Sequence, residues 1–153
     1  MSANKQSRPL SVFLLMFFVA FQALGGLYGG LTLVLDPSGD LLGLPLSVLD
    51  NAPFANFLVP GLILLFILGF FPLVITVALW RRPKWNAVEW LERSFGEHWA
   101  WVGAGVVGVG LAIWLLVELW WVGYSFFLLI YCLVTMLILG LTLLPSTRRY
   151  YQL

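Results

Sequence analysis

The chain has 153 residues, 61% hydrophobic and 10% charged, with eight Lys and Arg against seven Asp and Glu. A water-soluble domain carries roughly a quarter of its residues as charges, so these few cannot cover a soluble surface, and a mean hydropathy of +0.98 makes lipid the covering medium. A net charge of +1 gives no basic stripe for nucleic acid, and a single cysteine, Cys132, excludes an internal disulfide or a cysteine-based metal site.

A membrane-crossing helix takes about 20 mostly apolar residues. Four stretches qualify, at about 10–35, 54–80, 99–122 and 126–144. Their continuous apolarity lacks the period-two alternation of barrel strands, so they are predicted as α-helices. The expected fold is all-α, a polytopic membrane protein whose single domain, 1–153, is a four-transmembrane-helix bundle.

The first span follows Lys5 and Arg8. Ala20 and Ala23 form a loose small-x-x-small pair, as at a signal cleavage site, but the apolar run is longer than the roughly 7–15 residues of a signal peptide. An uncleaved signal-anchor helix is expected. Gly25-Gly26 and Gly29-Gly30 make two overlapping GxxxG spacings, which suit close packing within the monomer, homodimerisation or ligand access. Gln22 and Thr32, with Thr135 in the fourth span, are expected to bond across helices.

Asp36-Pro37-Ser38-Gly39-Asp40 has turn chemistry and ends the first helix. Leu41 to Leu49 is too short and too interrupted to span, so it lies along the interface or folds back over the helix ends. Asp50 or Asn51 is expected to cap the second helix, with Pro53 in its first turn. Pro60-Gly61 and Pro72 remove backbone hydrogen bonds and should bend that span.

Between the second and third spans, Asn86 to Phe95 reads as a short interfacial helix. Asn86 is its expected cap, Glu89 pairs with Arg93 at i,i+4, Val88, Leu91 and Phe95 share the apolar face, and Gly96 stops it. His98 has no second His or Cys near it, so no metal site is expected there. Ala104, Gly108 and Ala112 repeat the small-residue spacing on the third span.

Glu118 is the one ionisable carboxylate inside a span. It lies about one turn, roughly 5 Å, inside the boundary marked by Trp120 and Trp121. No basic residue accompanies it on that side, so it must be hydrated, protonated or hydrogen-bonded, with Tyr28, Tyr124 and Ser125 as expected partners. A structural interface role and the handling of a cation, proton or ligand are both open. Asp36 joins Glu118 as the second candidate polar or ligand residue.

Lys5 and Arg8 precede the first span, Arg81, Arg82, Lys84 and Arg93 lie between the second and third, and Arg148 and Arg149 follow the fourth. With four spans these segments share one face, whereas the other face carries Asp36, Asp40 and Asp50 without a cation. The positive-inside rule makes the basic face cytoplasmic, with both termini on it. Trp80, Trp85, Trp90, Trp99 and Trp101 mark that boundary, and Tyr150 and Tyr151 beside Arg148 and Arg149 read as a further anchor.

Four segments, GGLYGGLTLVLDPSG at 25–39, PFANFLVPGLILLFILG at 53–69, VELWWVGYS at 117–125 and LPSTRRYY at 144–151, carry a resemblance to small bacterial four-helix membrane proteins of uncharacterised function. The resemblance implies an inner-membrane tetraspan and brings no activity, cofactor, substrate or binding residue with it.

The leading expectation is a non-enzymatic structural or accessory subunit, with the lipid bilayer around it and a second copy or a larger membrane protein as partner. The alternative is a binder or transporter of a lipid, quinone or other small apolar molecule, with Asp36 and Glu118 at the polar end of an outward cavity. An enzyme would need a nucleophile, base and orienting group in mutual reach. One His and one Cys offer no such set, and a carboxylate pair would require Asp36 and Glu118 to meet.

Overall fold

Leu10 to Leu35 forms the first helix, α1, entered at Pro9 and ended at Asp36. The computed structural model describes residues 7–153, so Lys5 lies outside the described residues. Three more long helices follow, α2 (Leu58–Arg81), α4 (Trp99–Trp121) and α5 (Phe126–Leu143), and each of the four is long and apolar enough to cross a membrane. Two short helices complete the set, α3 (Glu89–Phe95) and α6 (Pro145–Tyr151).

The four long helices pack around Leu15, Val19, Leu68, Ile75, Leu79, Leu111 and Ile138, all at most 2% exposed. Apolar side chains gain little by leaving lipid for protein, so the contact depends on close packing. A methyl on Gly26 would strike the Leu68 carbonyl, and one on Gly30 the backbone of Leu65. From the other side, Gly61 abuts Leu33 and Gly69 abuts Leu27. The Gly26/Gly30 row therefore holds α1 to α2 within the monomer, whereas Gly25 of the other row faces Tyr131 on α5 and Gly29 meets no neighbour. Gly108 and buried Ala104 do the same for α4, where Gly108 faces Leu139 and Ile138 of α5.

The second span begins at Leu58, four residues later than the sequence suggests. Phe57 is drawn into the outer loop by an N–H bond to the Pro37 carbonyl at 2.9 Å and buries its ring with Leu33 and Leu49. Asn56, rather than Asp50 or Asn51, stands at the entrance, with its Oδ1 accepting the Leu58 N–H at 3.1 Å. Pro60 sits in the first turn, where a missing N–H leaves no bond broken.

Ahead of Pro72 the chain widens into one π-helical segment, Phe66–Phe70, which inserts an extra residue into the helix. Pro72 has no N–H for the Leu68 carbonyl four residues back. The Gln22 side-chain amide of α1 donates to that carbonyl instead, at 3.2 Å and fully buried. The expectation for Gln22 is met. Thr32 and Thr135 differ from theirs, since their hydroxyls donate to the Tyr28 and Tyr131 carbonyls one turn back on their own helices.

The same device recurs at the other end of α2. Pro83 leaves the Leu79 carbonyl without a helical donor, and the Tyr151 hydroxyl supplies one at 2.8 Å. Tyr151 is thus no surface anchor. It is 0% exposed, and burial pushes its hydroxyl well above the ordinary range, which keeps the donor proton in place. The α6 helix that carries it was not expected from the sequence. Pro145 opens it at a position where proline is favoured.

The outer connection folds back over the helix ends. Two 3₁₀ turns, Asp40–Leu42 and Leu46–Leu49, bring Leu49 onto Leu33 and Phe57. Gly39 makes the turn with φ of 84°, a conformation costly for other residues.

At the opposite end the basic residues converge. Arg8 donates to the Trp80 carbonyl at 2.8 Å and to the Tyr150 hydroxyl at 3.2 Å. Arg82 lies over the Tyr150 and Tyr151 rings at 5.0 and 5.5 Å, and Arg148 bonds Glu97 at 2.5 Å. Trp99 and Trp101, read as boundary markers, are tied into the protein, since their indole N–H groups donate to the carbonyls of Pro83 and Thr142.

Candidate functional site

The two carboxylates singled out in the sequence stand apart in their chemistry. Asp36 follows α1, and its oxygens serve its own loop. Oδ1 accepts the Ser38 hydroxyl at 2.5 Å and the Ser38 N–H at 3.3 Å, while Oδ2 accepts the Leu41 N–H at 2.8 Å. Those donors, the Ser38 hydroxyl foremost, hold the carboxyl below its ordinary value.

Glu118 lies in the last turn of α4, half-buried, beside the Trp114 indole one turn back and within Coulombic reach of Tyr131 on α5. It bonds none of its three expected partners. Ser125 Oγ instead accepts the Leu128 N–H at 3.1 Å as the cap of α5, and Tyr28 and Tyr124 turn outward at 69% and 72% exposed. Among the described residues no hydrogen bond joins Asp36 to Glu118.

A second polar assembly lies at the basic end, where the sequence predicts a short interfacial helix and no metal site at His98. After α2 the chain turns through Arg82, which adopts φ of 49° as it caps the helix and precedes Pro83, whose ring disfavours a further α residue before it. A 3₁₀ turn at Asn86–Val88 leads into α3. Trp85, not Asn86, occupies the cap position, and no side chain makes a capping bond there. The Glu89–Arg93 pair forms as expected, at 2.9 Å with both partners exposed, where such pairs contribute little. Gly96 ends α3 with φ of 73°.

His98 then caps α4, with Nδ1 accepting the Ala100 N–H at 3.2 Å. An accepting Nδ1 places the proton of the neutral ring on Nε2. That Nε2 is buried and has no hydrogen-bond partner. The Glu92 carboxylate stands 3.8 Å away, beyond hydrogen-bond length, and accepts the Trp99 N–H at 3.3 Å. Burial foremost, and the Arg82 charge, lower the His98 pKa, against the Glu92 carboxylate and the backbone of Pro83 and Arg82, which raise it.

His98 borders a recess of about 600 Å³ lined also by Arg82, Lys84, Trp85, Glu89 and Glu92. The sequence signal was present in part. Glu89 and Glu92 are three residues apart and so share one side of α3, but the return of the chain at His98 was not visible. Glu97 is buried beside this assembly in sequence, and its Oε2 is also without a partner. Among the described residues no group of three His, Cys, Asp or Glu side chains is arranged to hold a metal ion.

Comparison with family models, with curated proteins and with solved structures yields no match to this chain.

Proposed function

We propose that the chain is a multi-pass protein of a bacterial inner membrane, with both termini in the cytoplasm, acting as a non-enzymatic structural or accessory subunit. The observation that carries this reading is how the polar groups of the spans are used. Gln22 bonds the Leu68 carbonyl, and Thr76, Thr135 and Thr142 bond carbonyls one turn back. The donors of these side chains are spent on the backbone rather than turned to a substrate, and Gln22 Oε1 is a buried acceptor without a partner. Such a body suits packing against a second copy or a larger membrane protein.

The test is site-specific photo-crosslinking in the native membrane. The crosslinking residue replaces Leu24, Val74, Ile113 or Met136, which are 64%, 52%, 58% and 71% exposed on the four long helices. A discrete adduct of constant mass from one surface and not the others supports the reading. Inserted protein that yields no adduct from any surface overturns it.

A second reading, a binder or transporter of a lipid, quinone or other small apolar molecule, is supported by Glu118 lying beside Trp114 and within reach of Tyr131. Flux in liposomes that disappears in Glu118→Gln supports it, and unchanged flux removes Glu118 from the mechanism.

A further inference from the structure

A recess at the end of a membrane-spanning bundle meets lipid headgroups, and its side chains state which headgroup fits. Two cations line it. Arg82 is held over the Tyr150 and Tyr151 rings at 5.0 and 5.5 Å, which orients its guanidinium, and Lys84 is exposed. Two carboxylates of α3 line the recess as well. Glu92 is mostly shielded, its side chain 18% exposed, and Glu89 is open and shared with Arg93.

His98 lines the same recess, and its Nε2 makes no hydrogen bond. The residue is 4% exposed, and a buried N–H without a partner is costly enough that native proteins seldom leave one unless something fills the place. Glu92 is too far from Nε2 to supply that partner and already accepts the Trp99 N–H.

We infer that this recess binds a zwitterionic aminophospholipid headgroup, its phosphate taken by Arg82, Lys84 and the His98 Nε2–H, and its primary ammonium by Glu92 and Glu89. A purely anionic headgroup would bring further negative charge beside Glu92 and Glu89 with no cation of its own to offset it. A quaternary ammonium would offer them no N–H donor. The exposed rings of Trp80, Trp85 and Trp90, at 55%, 55% and 63%, suit the headgroup level of a bilayer. The glycerol and acyl chains then continue along the lipid-facing surface. The same phosphate-and-ammonium chemistry occurs in a soluble phosphoethanolamine, and the lipid is assigned as its source because the recess opens at the end of the spans.

His98 is the only histidine in the chain, so its ring nitrogens provide an unambiguous probe. Protein labelled with ¹⁵N-histidine, in maltoside micelles near neutral pH, is titrated with short-chain phosphatidylethanolamine, phosphatidylcholine and phosphatidylglycerol. The ethanolamine lipid is expected to give a saturable Nε2 shift with an affinity about tenfold or more above the other two. Equal responses to all three lipids, or none to any, overturn the inference.

Glycerophosphoethanolamine, which has the headgroup without acyl chains, is expected to bind about tenfold or more weakly. Equal binding overturns the lipid as source. Glu92→Gln should bring the ethanolamine lipid down to the level of the choline lipid, and an unchanged preference in a variant that keeps the wild-type fold counts against the assigned ammonium site. The wild-type lipid comparison needs no variant and decides the matter if Glu92→Gln does not fold.

Discussion

The side-chain amide of Gln22 donates to the carbonyl of Leu68, the carbonyl left without a helical donor because position 72 is proline. Tyr151 stands to Leu79 and Pro83 in the same relation. In each case a proline on or just after α2 frees an acceptor, and a distant element of the chain supplies the missing proton. A bend-forming residue thereby becomes a point of attachment between helices.

Gln22→Leu should destabilise the protein by about 1–3 kcal/mol, since it strands a buried carbonyl. In a Pro72→Ala background the alanine N–H can take that place, and the loss should shrink. Stability is read from denaturant titration in mixed micelles for all four members of the cycle. Equal losses in both backgrounds would show that the proline has nothing to do with the role of Gln22.

The glycines of α1 should separate by position. Gly26→Ala places a methyl against the Leu68 carbonyl and should cost about 1–3 kcal/mol through forced separation of α1 and α2. A methyl on Gly29 would meet nothing within 4 Å, so Gly29→Ala should be neutral or stabilising by helix propensity, about 1 kcal/mol at most. Thermal unfolding of the two variants in parallel checks the contrast, and equal effects would argue against the α1–α2 contact described.

The pH dependence follows from His98. Burial lowers its folded pKa below the ordinary 6.5, so the fold favours the neutral ring. The stability this contributes is complete above 6.5 and declines as pH falls through the lower folded value. Imidazole resonances should titrate with a midpoint below 6.5. His98→Asn, which preserves a capping side chain, should flatten that part of the stability profile. A midpoint above 6.5 would contradict the buried, unpartnered ring.

The orientation is checked by cysteine labelling in a Cys132→Ser background. Ser38→Cys should react only with reagent outside the cytoplasm, and Lys84→Cys only with reagent inside it. Labelling of both from one side would contradict the four-span topology.

The long helices were legible because any helix able to cross a membrane must be continuously apolar over a fixed length, and neither tertiary contact nor loop chemistry alters that requirement. The starts of α1, α4 and α5 agree with the sequence reading, whereas that of α2 does not. Phe57 is apolar enough for a span, yet its N–H and ring are claimed by Pro37, Leu33 and Leu49, and composition carries no trace of such a long-range claim. The same holds for Tyr151, whose aromatic-basic surroundings resemble those of an interface anchor until α6 turns it under Leu79. Of the candidate polar residues, Asp36 was visible as a turn residue and serves as one. His98 was weighed only as a metal ligand, because the carboxylate and cations around it come from segments that meet through the turn at Arg82.

The π-helical segment Phe66–Phe70 sets the phase between the two halves of α2. Before it, Gly61 faces α1. After it, Ile75 meets Gly103 of α4 and Leu79 lies in the core. Deleting one residue from the segment would rotate everything downstream by about 100°. Ile75 and Leu79 would swing toward the outer surface of the bundle while the helix stayed equally hydrophobic, a frameshift in azimuth that no hydropathy plot would register.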